Sequence, residues 1–188
     1  MNTSGTYNLT VINNNGCLAV DTINVVTDGR IADADFDFDD VCLDQQVFFD
    51  NTTTIDPPSQ IDGYQWDFGN GDTSIQTSSL YQYDTAGTYN VTLTVTSDGQ
   101  CVTSTSADIT IFELPTAGFT YSIACANDTA SFTSTATAPG NDSLVSYLWD
   151  FGDGNTAQTV NAKHVYSSPG NYTVTQTVTT NNGCINVF

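Results

Sequence analysis

The sequence predicts an all-β chain built of tandem β-sandwiches, and three observations carry that prediction. The phrase Tyr64-Gln65-Trp66-Asp67-Phe68-Gly69-Asn70-Gly71-Asp72 returns as Tyr147-Leu148-Trp149-Asp150-Phe151-Gly152-Asp153-Gly154, an offset of 83 in the numbering (149 − 66 = 83). Cys42 and Cys125, Cys101 and Cys184, Phe36 and Phe119, and Tyr89 and Tyr172 keep that same spacing. Apolar and polar residues alternate with period 2 in many short runs, and no stretch shows helical spacing over three turns. An unchanging period of this length marks an array of units, each large enough to own a core.

The chain opens on a remnant. Gly5-Thr6-Tyr7-Asn8-Leu9-Thr10-Val11, then Asn15-Gly16-Cys17, matches Gly87-Thr88-Tyr89-Asn90-Val91-Thr92-Leu93, then Gly99-Gln100-Cys101. Residues 1–28 are therefore expected to be the closing strands of an upstream domain, with Ile23-Asn24-Val25 last. Residues 29–113 form one full copy. Residues 114–188 form a second, expected to lack completion of its last strand, so that both ends read as cuts through a longer polypeptide.

Within the copies the elements follow from local pattern. Val47-Phe48-Phe49 and Ala130-Ser131-Phe132 read as strands that end in polar turns. Tyr89, Val91, Leu93 and Val95 alternate with Asn90, Thr92, Thr94 and Thr96, as a half-buried strand requires. Tyr172, Val174 and Val178 repeat that strand, but Gln176 falls where Leu93 is apolar, which points to a strand edge or a bulge. Ile109-Thr110-Ile111 closes the first full copy. The linkers Thr27-Asp28-Gly29-Arg30 and Phe112-Glu113-Leu114-Pro115 are short, and the second, with its proline, is expected to be semi-rigid. Short strands with a turn every 8–12 residues describe a sandwich, and sandwiches on stiff joints make a rod.

Composition narrows the partners. Two basic residues, Arg30 and Lys163, stand against 21 acidic ones, for a net charge of −19. That field repels nucleic acid and anionic membrane surfaces, and no apolar stretch approaches the ~20 residues needed to span a bilayer. Abundant Thr, Ser and Asn with a single Lys suit an extracellular, cell-surface protein.

Each full copy has one early and one late cysteine, Cys42 with Cys101 and Cys125 with Cys184, at equal separation (101 − 42 = 59 and 184 − 125 = 59). The repeated pair reads as one disulfide per domain, leaving Cys17 for a partner in the absent front of the first. No cysteine has a close neighbour of its kind, and the single histidine is His164, so a zinc site is not indicated.

These residues resemble the PKD (polycystic kidney disease) domain family. The second copy carries Trp149-Asp150-Phe151-Gly152-Asp153-Gly154, His164-Val165-Tyr166 and Pro169-Gly170-Asn171-Tyr172-Thr173-Val174. The first departs at Asn70 for the loop aspartate, at Gln82 or its neighbours for the histidine, and at Ala86-Gly87 for Pro-Gly. The cysteine pair is similar to that of PKD modules in large surface proteins of Bacteroidetes-type bacteria. The resemblance implies immunoglobulin-like β-sandwiches that serve as non-catalytic modules in adhesins, surface layers, secreted proteases and polysaccharide-degrading enzymes, with no catalytic residues and no obligatory cofactor.

Trp66 and Trp149 are expected in the sandwich cores rather than as exposed sugar platforms. Asp67, Asp72, Asp150 and Asp153 flank glycine turns, where aspartate accepts backbone N–H groups. Asp33, Asp35, Asp37 and Asp39 share one strand face, which reads as a solvated acidic face or, alternatively, a calcium site. His164 is expected to pack or to bond a turn, and no pairing supports catalysis. Asn-x-Ser/Thr triplets occur at Asn2, Asn8, Asn51, Asn90, Asn127, Asn141 and Asn171. Thr22, Thr85, Thr129 and Ser143 each follow an aspartate and precede a small or aliphatic residue, which resembles the O-glycosylation triplet of Bacteroidetes-type secreted proteins. The expected role is a stiff, acidic, disulfide-clipped segment of a surface protein or fibre. Its partners are neighbouring repeats, covalent glycans, and surface polysaccharide or protein. The alternative is a string of accessory substrate-binding modules on a secreted hydrolase.

Overall fold

A computed structural model describes residues 5–25, 29–122 and 125–188. Asn2, and Thr27 and Asp28 of the first linker, lie outside the described residues. The strands are β1 (Gly5–Ile12), β2 (Leu18–Val25), β3 (Phe36–Asp37), β4 (Val41–Cys42), β5 (Gln46–Asn51), β6 (Ile61–Asp67), β7 (Thr73–Ser74), β8 (Ser79–Gln82), β9 (Gly87–Ser97) and β10 (Cys101–Phe112). Then come β11 (Phe119–Tyr121), β12 (Thr129–Ser134), β13 (Leu144–Asp150), β14 (Thr156–Ala157), β15 (Ala162–Val165), β16 (Thr175–Thr180) and β17 (Ile185–Val187). The bounds of β5 to β8 return one full period later as those of β12 to β15. The repeated sequence thus produces repeated elements, and the described residues are all-β apart from one short 3-10 turn at Asp98–Gln100.

Two compact units result, one of Met1–Phe38, Phe49–Ser79 and Tyr89–Asp108, the other of Asp39–Phe48, Leu80–Thr88 and Ile109–Phe188. Strand order is β4-β10-β9-β6-β7 with β3-β5-β8, and β14-β13-β16-β17 with β11-β12-β15. These paired sheets are immunoglobulin-like sandwiches.

Both indoles are fully buried. Trp66 meets Phe36 edge-on with centroids 5.1 Å apart and Phe49 at 5.8 Å. Trp149 meets Phe119 at 5.0 Å and Phe132 at 5.8 Å. Burying one such side chain removes ~200 Å² from water, a gross gain of about 5 kcal/mol. The only polar atom of each indole finds a partner, since Nε1 donates to Gln76 O at 2.9 Å in Trp66 and to Thr159 O at 2.8 Å in Trp149.

The β1–β2 ribbon pairs Gly5 with Val25 through to Ile12 with Leu18. Tyr7, Leu9 and Val11 are each more than half exposed, although Val91 and Leu93, the matching positions of the first full copy, are fully buried.

Three expectations are corrected. The chain from Tyr172 to Val174 is not strand, because β16 begins only at Thr175 whereas β9 begins at Gly87. The Tyr172 ring stacks on Tyr166 instead, and its hydroxyl donates to Ser168 O. Gln176 is neither at an edge nor beside a bulge: β16 lies between β13 and β17. Its buried amide instead accepts from Gly118 N at 3.3 Å and donates to Ser134 Oγ at 2.7 Å, so polarity there is satisfied.

The third correction concerns sulfur. Cys42 is bonded to Cys184, and Cys101 and Cys125 are free thiols, as is Cys17. A bond from Cys42 to Cys101 is precluded by strand geometry. Cys42 lies opposite Phe112 in the β4–β10 register, whereas Cys101 starts the same 12-residue strand. At ~3.3 Å per residue its ends are about 36 Å apart, far beyond disulfide reach. Cys125 and Cys184 are not joined either, since Cys184 is taken by Cys42.

Candidate binding groove

The turns that follow β6 and β13 are built alike. Asp67 Oδ1 accepts from Gly69 N and Asp150 Oδ1 from Gly152 N, both at 2.9 Å. Gly152 has φ of +75°, and a Cβ there would lie 2.4 Å from Thr173 O, so only glycine fits. One residue on, Asp153 Oδ1 accepts from Asn155 N at 3.1 Å.

This turn delivers Asp153 to His164 of β15. His164 Nε2 and Asp153 Oδ2 are 2.7 Å apart. The imidazole lies flat on Phe151, with centroids 4.3 Å apart and planes 3° from parallel. Tyr166 meets the imidazole edge-on, and its hydroxyl donates to Phe151 O at 3.0 Å. Hydrogen bonding from His164 holds the Asp153 carboxyl below its ordinary value, and burial pushes the Tyr166 hydroxyl above its own. At the position matching His164 the first copy has Tyr81, edge-on to Tyr83 at 4.8 Å.

Beside this cluster is a groove of about 730 Å³. Its walls include Phe119, Tyr121, Phe132, Tyr166, Tyr172 and Val174. The Tyr166 and Tyr172 rings stack at 4.1 Å and 20°, and Tyr172 is tied down by donating its hydroxyl to Ser168 O at 3.0 Å. The groove borders the segment around Tyr172 that is irregular here and strand in the first copy. There, Tyr83, the counterpart of Tyr166, is fully buried. Aromatic faces with hydroxyl and amide groups at the rim can hold a flat ring or an extended chain by stacking and hydrogen bonds. His164, expected from the sequence to pack or to bond a turn, does both, against Phe151 and Asp153. Tyr121 and Tyr172 were missed as groove residues, because a groove depends on where a strand starts.

Asp33, Asp35, Asp37 and Asp39 are exposed, and among the described residues no three His, Cys, Asp or Glu side chains gather as a metal site. Asp33 is engaged through its backbone, in a two-way bridge with Thr54. Thr22, Thr85, Thr129 and Ser143 are exposed. Among the described residues, no helix is long and apolar enough to cross a membrane.

Comparison with known proteins places this geometry. Residues 31–111 and 113–187 each match the PKD domain family. The chain belongs to that family. It is 33% identical over 73 residues to the collagenase ColA of Clostridium perfringens, covering 39% of this chain and 7% of that protein. It is 50% identical over 46 residues to the pre-pro-metalloprotease PrtV of Vibrio cholerae, covering 24% of this chain and 5% of that protein. The chain thus spans less than a tenth of the length of these relatives. Among solved structures, the PKD1 domain of Vibrio anguillarum Epp matches at 30% identity with a TM-score of 0.41, over 45% of this chain and 96% of that one. The PKD1 domain of Vibrio cholerae PrtV matches at 35% identity with a TM-score of 0.40, over 44% of this chain and 98% of that one. The PKD domain is a non-catalytic module.

Proposed function

We propose that this chain is a non-catalytic extracellular segment in which successive PKD sandwiches are coupled into a stiff, acidic rod of a surface protein or fibre. The bond between Cys42 and Cys184 carries the reading, because its two residues fall in different PKD repeats, 31–111 and 113–187. Such bonds persist in oxidising surroundings outside the cytosol. The net charge of −19 keeps rods apart and soluble. The exposed hydroxyls of Thr22, Thr85, Thr129 and Ser143 are assigned to covalent glycans, which intact mass of native material checks. Small-angle scattering tests the rod: the oxidised chain should give one narrow distance distribution, which broadens on reduction. An unchanged distribution after reduction rules the coupling out.

A second reading is favoured by the aromatic groove and by relatives named collagenases. In it the chain is an accessory module string that binds protein or polysaccharide for a secreted hydrolase. Co-sedimentation with insoluble collagen, chitin or cellulose tests it, and binding should fall on Tyr172→Ala. Recovery in the supernatant with all three matrices rejects it.

A further inference from the structure

We infer that the sulfur pairing follows one rule along any array of these repeats: the early cysteine of each bonds the late cysteine of the next. Cys101 and Cys125 are then unfilled halves of two further bonds. The inference rests on the rod reading and extends it to a partner, a flanking PKD repeat of the same design.

The placement of each cysteine supports the rule. The early cysteine sits where the chain leaves its repeat: Cys42 pairs with Phe112, and Leu43 N donates to Phe112 O at 2.8 Å. The late cysteine sits where the chain enters its own. A Cβ on Gly29 would lie 3.2 Å from Cys101 Sγ, and Asn186, just after Cys184, donates its amide to Pro115 O at 2.7 Å. The exit at Phe112 and the entrance at Pro115 are separated only by Glu113 and Leu114, so an early cysteine and the following late cysteine meet at every joint. The occupied example has its Cα atoms 5.6 Å apart, within ordinary disulfide reach. Cys101 precedes Cys184 by one period (184 − 101 = 83), and Cys125 follows Cys42 by one period (125 − 42 = 83). Both therefore hold positions whose counterparts are already bonded. Cys125 is exposed and open to attack.

Closure needs an oxidant, which a small disulfide such as oxidised glutathione supplies. One cysteine thiolate attacks it, forms a mixed disulfide and releases one glutathione. The second cysteine attacks the protein sulfur of that mixed disulfide and releases the other. Two protein thiols become one disulfide, and one glutathione disulfide becomes two glutathione thiols.

Appending a second copy of residues 106–188 directly after Phe188 keeps the period and supplies one new early and one new late cysteine, seven in all. After refolding in glutathione buffer, mass mapping should find Cys125 bonded to the new late cysteine, with Cys42 still on Cys184. Thiol titration in denaturant should then give three free thiols, against one if each repeat closed on itself. Cys125→Ser in the lengthened chain should give four. Cys125 left as a thiol, or joined to the original Cys184, overturns the inference. If Cys42–Cys184 survives in that case, the rod reading stands without the rule. A bond between Cys42 and Cys101 in the unlengthened chain would sink both.

Discussion

His164 Nε2 lies 2.7 Å from Asp153 Oδ2, and this bond joins the Trp-Asp-Phe-Gly-Asp-Gly turn to β15 beside the groove. It lowers the Asp153 pKa from its ordinary 3.8. A carboxyl depressed on folding stabilises the protein above its unfolded pKa, and that contribution is lost as pH falls through the folded value. The difference in melting temperature between wild type and Asp153→Asn should therefore be present near neutral pH and close below about pH 4. A difference that persists at the acid end would show the bond is not its source.

Trp149→Ala should cost about 3–5 kcal/mol, the range for deleting a large buried aromatic. Phe119 and Phe132 lose their central partner, and Thr159 O loses its indole donor. Denaturant titration of the oxidised chain measures this.

Gly152→Ala places a methyl against the backbone of Thr173 at positive φ. A loss of about 1–3 kcal/mol is expected. Gly154→Ala also has positive φ, but nothing lies within 4 Å, so it should cost less. Paired melting curves read the difference.

Gln176→Leu copies the residue that the first repeat has at Leu93, and intuition favours it. The structure argues the reverse, because buried Gly118 N would lose its partner and Ser134 Oγ would keep only its bond from Ala136 N. A loss of about 1–3 kcal/mol is expected, again read by denaturant titration.

Cys42→Ser opens a loop whose ends are 142 apart in sequence. In the chain-entropy model such a loop stabilises by up to about 5 kcal/mol. Cys101→Ser removes a thiol with no bond and should change stability by about 0.5 kcal/mol or less. Comparing the two by thermal unfolding separates a bonded cysteine from an unbonded one.

Much of this was written in the chain. The Trp66 and Trp149 phrases, the alternation of β9 and the constant period lead directly to paired sheets around an indole, because those are local patterns acting through burial. The sulfur pairing was not legible for an arithmetic reason. A period of 83 is equally compatible with a separation of 59 and with 59 + 83 = 142, so repetition alone chooses neither. Gln176 was unreadable because its partners, Gly118 and Ser134, are 58 and 42 positions away in sequence. The groove depends on the late start of β16, where the Tyr166–Tyr172 stack stands in place of the alternation that would have extended the strand.

The bond from Cys42 to Cys184 also decides how the chain carries tension. A pull applied at residues outside this pair travels across the sulfur atoms and leaves the whole stretch between them unloaded. About 480 Å of contour is thereby held in reserve, at ~3.4 Å per residue. Extension of that hidden length would wait for a reductant, so redox chemistry would set how far the chain can be drawn out.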